Sequence, residues 1–152
     1  MILVLALLIG VVAGLRSMIA PAAISWAANL GWIDLSAGSF AVFGYRWTPW
    51  MLGLLALAEL VTDQLPSTPS RKVPAQFTWR VITGAVSGAA LGSTAGMTMA
   101  GLAAGAIGAV FGTFGGAELR ARMAQAFGSD TPAALIEDAI AITAGLLVAS
   151  TA

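Results

Sequence analysis

Residues 84–96 read GAVSGAALGSTAG, with Gly84, Gly88, Gly92 and Gly96 at every fourth position. Residues four apart share one face of an α-helix, so these glycines make a stripe without side chains, against which a second helix can lie at close range. In water such a run is a poor helix, because each interior glycine costs about 0.8–1.0 kcal/mol relative to alanine. In a bilayer the backbone must satisfy its own hydrogen bonds; the helix is enforced and the glycines become packing surface. Downstream, Gly108, Gly112 and Gly116 repeat the spacing. The stretch therefore predicts an all-α polytopic membrane bundle held by glycine zippers. The stripes suit packing within one chain or between copies, and the expected assembly is a homo-oligomer.

Composition points the same way. Of 152 residues, 59% are hydrophobic and only 9% are charged, with a mean hydropathy of +0.90. Soluble domains carry about 25% charged residues, so this surface is not one that faces water all round. One integral membrane domain over residues 1–152 is expected, with lipids as neighbours. There are no cysteines and no histidines. Disulfides, thiolate metal sites, imidazole proton shuttles and histidine-ligated haem are thereby excluded, and neither a metal nor a cofactor is expected. Seven basic and seven acidic residues cancel, leaving no basic surface for nucleic acid. Serines occur without histidine and the glycine-rich segments lack a phosphate-loop lysine, so no enzyme is predicted.

About five spans follow from the apolar runs. The first, Ile2 to about Leu30, lacks the positive start of a signal peptide and is interrupted by Gly14, Arg16, Ser17 and Pro21. It reads as one long kinked helix or a helix broken near Pro21. An aromatic, glycine-rich connection (31–45) suits a membrane interface. The second span runs from about Trp47 to Leu65 with Pro49 in its first turn, and the prolines at 66, 69 and 74 then impose a loop. Residues 80–116 divide into two spans at a tight turn near Ser93–Thr98, the fourth continuing to about Ala126. Asp130 followed by Pro132 reads as the N-cap of the fifth. Arg71, Lys72, Arg80, Arg120 and Arg122 fall on one side of such a bundle, which the positive-inside rule makes cytoplasmic, with the N-terminus on that side and the C-terminus outside. Ala13-Gly14-Leu15-Arg16 also matches Ala117-Glu118-Leu119-Arg120, and each leads into a later helix with two acids. This match would make the outer pairs of spans an inverted repeat, a transporter feature.

The charges inside the apolar runs are the candidate site. Arg16 lies about 20 Å from Met1 along a helix, past the bilayer midplane, where an arginine costs at least ~2.5–3.5 kcal/mol unless it meets a partner or water. It reads either as a substrate contact with Ser17 as second donor, or as a group that satisfies carbonyls near Pro21 or pairs with an acid. Glu59 and Asp63 share a face of the second span, and Glu137 and Asp138 begin the fifth. Clustered carboxylates repel, so one should hold a proton or a cation; the plainer reading is ion pairing, favoured for Glu118 and Glu137. Arg71, beside the hydroxyls of Ser67, Thr68 and Ser70, suits an anion or headgroup, though a basic loop more often only sets topology.

Three of these segments together carry a resemblance: GLRS (14–17) with Pro21, DQLPSTPSR (63–71) and EDAIA (137–141). The chain resembles a family of small bacterial integral membrane proteins known as a domain of unknown function. The resemblance implies a bundle of about five spans in the bacterial inner membrane and groups Arg16, Asp63, Arg71, Glu137 and Asp138 without giving them a role. The expected function is a transporter or channel-like protein for a small ion or solute. The alternatives are a structural or accessory membrane protein and a lipid- or pigment-binding subunit.

Overall fold

A computed structural model of the chain describes residues 1–63 and 73–152. The loop at 65–72, and Arg71 with it, lies outside the described residues. Among the described residues six α-helices follow one another: α1 (Ile2–Leu15), α2 (Ile19–Asn29), α3 (Thr48–Thr62), α4 (Pro74–Ser93), α5 (Thr98–Phe127) and α6 (Asp130–Ser150), with a 3-10 turn, Ala41–Gly44, between α2 and α3. No strand occurs among the described residues. Among the described residues only α5 and α6 are long and apolar enough to cross a membrane, with hydropathies of 1.4 and 1.7. Helices α1 and α3 are apolar but run to 14 and 15 residues. Among the described residues there are thus six helices of unequal length where about five spans are expected, the first expected span being broken before Pro21.

The difference begins at Arg16, whose backbone is extended at φ −140° and ψ 112° and ends α1. Pro21 has no N–H, and its ring crowds the carbonyl four residues back, at Ser17, so a helix cannot run through this segment unbroken. The break precedes Pro21, which itself sits inside α2. The chain also turns back. A Cβ placed on Gly145 of α6 would meet Val12 of α1 at 3.5 Å and Ile19 and Ala23 of α2 at 3.3 and 3.5 Å. Residues before and after Arg16 therefore lie against the same point of a third helix.

From there the directions alternate. Helix α3 returns along α2, with the start of α2 against Glu59 and Trp26 edge-on to Trp50 at 5.0 Å. Gly84 faces Gly105, and Gly92 faces Gly101 and Met97, so α4 and α5 form an antiparallel hairpin around the expected turn at Ser93–Thr98. Leu7 lies opposite Gly108, and Gly14 opposite Gly112, so α1 runs parallel to α5. Alternation over six helices brings the Met1 and Ala152 ends of the chain to one end of the bundle. Parallel α1 and α5 also overturn the inverted repeat: the two matching tetrapeptides sit on helices of the same direction.

The glycine stripes pack within the chain. A Cβ on Gly88 would lie 2.8 Å from Gly105 Cα, one on Gly92 would lie 3.0 Å from Gly101 Cα, and one on Gly112 would lie 3.0 Å from Gly14 Cα. Real Cβ atoms essentially never approach to 2.8 Å and seldom to 3.0 Å, so α1, α4 and α5 meet backbone to backbone. Gly108 sits likewise against Leu7 and Val11, and Gly116 is buried. Gly96 is the exception. It occupies the α4–α5 turn at φ +69° with nothing within 4 Å, so its role is the left-handed conformation that glycine adopts without penalty, not helix packing.

At the start of α6 the N-cap is Ser129, not Asp130. The Asp130 carboxylate instead accepts two hydrogen bonds from Arg120, at 2.5 and 2.9 Å. Burial is inverted relative to a water-soluble domain. Leu54, Phe111 and Met99 are 68%, 66% and 75% exposed, whereas Arg16 and Arg80 are 0% and 1% exposed.

Candidate functional site: an ionic centre at the helix reversal

The reversal creates two helix ends inside the bundle, each with backbone groups that lack helical partners. At the end of α1, the Arg80 guanidinium donates from Nη1 to the carbonyls of Gly14 and Leu15, at 3.0 and 2.6 Å. At the start of α2, Glu59 of α3 accepts the backbone N–H groups of Ser17 and Met18 at 2.8 and 2.7 Å, together with the Ser17 hydroxyl at 2.8 Å. A cation thus meets a helix C-terminus and an anion meets a helix N-terminus, the favourable polarity for both dipoles. A carboxylate holding backbone N–H groups is also among the stronger hydrogen-bonding arrangements.

Arg16 occupies the reversal itself. Its Nε and Nη2 both contact Oδ1 of Asp138, at 2.6 and 2.5 Å, and its Nη1 contacts Oδ2 of Asp63. One guanidinium therefore joins α3 to α6. Arg80 Nη2 lies 3.6 Å from both Glu59 and Asp63, closing the cluster. Glu137, next to Asp138, faces the other way and meets Arg120 of α5 at 3.4 Å. Glu118 pairs with Arg122 at 2.8 Å, both exposed. Asp34 stands apart in the 31–45 connection, where the hydroxyl and N–H of Ser36 hold its carboxyl below the ordinary value.

Of the sequence candidates, Arg16, Ser17, Glu59, Asp63 and Asp138 come together, Glu137 lies at the margin with Arg120, and Arg71 is not described. Arg80 was missed. It stands one helical turn before Gly84 in the register of the glycine stripe, so the periodicity that marked the packing face also placed this charge on it. Pairing with acids is how Arg16 is satisfied; the exposed carbonyls fall to Arg80.

Set against known families, curated proteins and solved structures, the chain matches no family model, no curated protein and no solved structure. The geometry must speak for itself. Two guanidiniums, Arg16 and Arg80, face three carboxylates, Glu59, Asp63 and Asp138, all largely removed from solvent. With every group ionised these five described side chains carry one negative charge in excess. Burial disfavours an uncompensated charge, so the arrangement favours taking up one positive charge, a proton or a cationic group. Among the described residues no group of three or more acidic side chains is placed to hold a metal ion.

Proposed function

We propose that this chain is a multi-pass membrane protein that moves a small ion or solute through the centre formed by Arg16, Asp63 and Asp138. Support for the bilayer setting comes from the inverted burial, apolar side chains outward and charges inward. Support for transport rests on a single observation, the excess carboxylate among the described charges at a discontinuous helix. Ionisable groups in a bilayer are expensive, and a buried ion pair generally stabilises no better than apolar packing of similar volume. A purely structural role therefore gives little reason to keep five charges there, whereas reversible uptake of a positive charge does. Broken helices supply such sites in many transporters.

A second reading, an accessory membrane protein without transport, draws on the pairing itself: each of the three carboxylates has a guanidinium within 4.0 Å. Flux separates the two. In proteoliposomes, a panel of ions and small acids should include one that moves with the wild type and falls to the empty-vesicle level with Asp138→Asn. Silence across the panel, or indifference to that change, would leave the accessory role.

We infer a different orientation from the described charges. Arg80, Arg120 and Arg122 lie toward the reversal end, with Arg46 at the other. The positive-inside rule then places the reversal end in the cytoplasm and both the Met1 and Ala152 ends outside, opposite to the five-span count for the N-terminus. The native chain has no cysteine, so single cysteines report cleanly. In intact cells an impermeant maleimide should label Ala152→Cys and spare Ser129→Cys; the reverse pattern refutes this topology.

A further inference from the structure

Between α2 and α3 the chain doubles back at the end of the bundle opposite the reversal. The Ser25 hydroxyl fixes it there by donating to the Phe43 carbonyl at 2.6 Å, and Ile33, Leu35 and Phe43 are buried beneath it. A pocket of about 480 Å³ opens in this connection, with a lining that includes Ala28, Gly31, Asp34, Ser36, Gly44 and Tyr45. Ligand pockets generally fall within about 300–1,000 Å³. Along 33–36 the side chains alternate, Ile33 and Leu35 inward, Asp34 and Ser36 outward. Ser36 donates its N–H and its hydroxyl to the same Asp34 oxygen, Oδ1, at 2.9 and 2.6 Å. Those bonds hold the carboxyl below its ordinary value, so it is ionised at neutral pH, and Oδ2 keeps its acceptor capacity.

Among the described residues no cationic group pairs with Asp34; Arg46, at this same end, lies over the Trp47 ring, 5.5 Å from its centroid. The residues that bracket Arg71 and Lys72, Asp63 and Val73, lie at the reversal, one length of α3 or about 22 Å away. Tyr45 lines the same pocket and is 63% exposed. A carboxylate and an open aromatic face together attract an ammonium, by charge and by cation–π contact. An anion would be repelled, and a neutral guest of the same shape gains neither attraction. We propose that this pocket binds the head of an organic ammonium, with its charge on Asp34 and its alkyl groups against Tyr45. Such a head comes either on a soluble amine or on a lipid with an ethanolamine or choline headgroup, which the exposed Trp32, Tyr45 and Trp47 would meet at the membrane interface. The site stands apart from the ionic centre and does not depend on transport.

Choline and its uncharged carbon isostere, dimethylbutanol, share a shape and differ in charge. Each is titrated calorimetrically into the protein in maltoside micelles, which contain no ammonium, with empty micelles subtracted. Choline is expected to bind about 10-fold tighter, the combined gain of one exposed charge contact and one cation–π contact. Asp34→Asn should remove most of that difference, Tyr45→Leu should weaken choline alone, and Gly44→Leu should abolish binding of both by filling the pocket. A Cβ on Gly44 meets nothing nearer than Ala28 Cβ, at 3.9 Å, so the connection is not forced apart, as an unchanged melting midpoint would verify. Equal affinities in the wild type overturn the proposal. So does a preference for choline that survives Asp34→Asn or Gly44→Leu, which would put the ammonium elsewhere, the ionic centre included. Repeating the titration in phosphatidylcholine nanodiscs identifies the source. Loss of the choline signal there means that lipid headgroups hold the pocket; an unchanged signal means that it serves a soluble amine.

Discussion

Gly105→Ala is expected to destabilise the bundle by ~3 kcal/mol or more, while Gly115→Ala, on the same helix, stabilises it by up to ~1 kcal/mol. The two substitutions add the same methyl group and gain the same helix propensity. They differ in what the methyl meets. At Gly115 nothing lies within 4 Å. At Gly105 it would meet the carbonyl carbon of Gly84 and the Cα of Gly88, each at 3.0 Å, with the Gly84 oxygen closer still. These are backbone atoms of a helix, with no rotamer by which to move aside, so α4 as a whole has to retreat from α5. Retreat of α4 would also draw Arg80 from the carbonyls of Gly14 and Leu15, leaving the end of α1 uncapped. Overpacking typically costs about 1–3 kcal/mol, and both features place this case at or above the top of that range. Thermal unfolding of the two variants in detergent, followed by circular dichroism, measures the contrast. Equal midpoints would mean that α4 and α5 do not touch at Gly105.

That helices pack on glycines was legible because the signal is local: a residue at every fourth position marks one helix face wherever the helix lies. The same reasoning collected Arg16, Glu59, Asp63 and Asp138, since a charge inside an apolar run must face other protein. What local spacing does not carry is direction. Pro21 forbids a continuous helix, but a kink and a reversal satisfy that prohibition equally. The choice is made by packing far along the chain, where Gly145 admits Val12, Ile19 and Ala23 to one spot. From that one ambiguity followed the helix count and the inverted repeat. Arg80 was overlooked for a different reason. It reads as one of the bases that set the sidedness of the bundle, although its register with Gly84 already puts it on the buried face.

Arg16→Leu tests the centre most severely. Asp63 would keep Arg80 at 3.6 Å, but Asp138 would lose the guanidinium that meets its Oδ1 through both Nε and Nη2. Removing one partner of a buried ion pair costs about 3–5 kcal/mol, because the other is left charged and desolvated. A loss of that size is therefore expected in equilibrium unfolding. An exposed pair would give only about 0–1 kcal/mol, and a value that small would show the centre to be open to water. Arg16→Lys should recover part of the loss: a single ammonium lacks the planar fork that lets one side chain engage Asp63 and Asp138 together. The triple variant Arg16→Leu, Asp63→Asn, Asp138→Asn separates stability from function. Neutral replacement of a buried ionic cluster is often without penalty, so this protein is expected to approach wild-type stability, whereas a centre that works by taking up positive charge would be silent in it. A folded triple variant with undiminished flux would show that the charges serve the bundle alone.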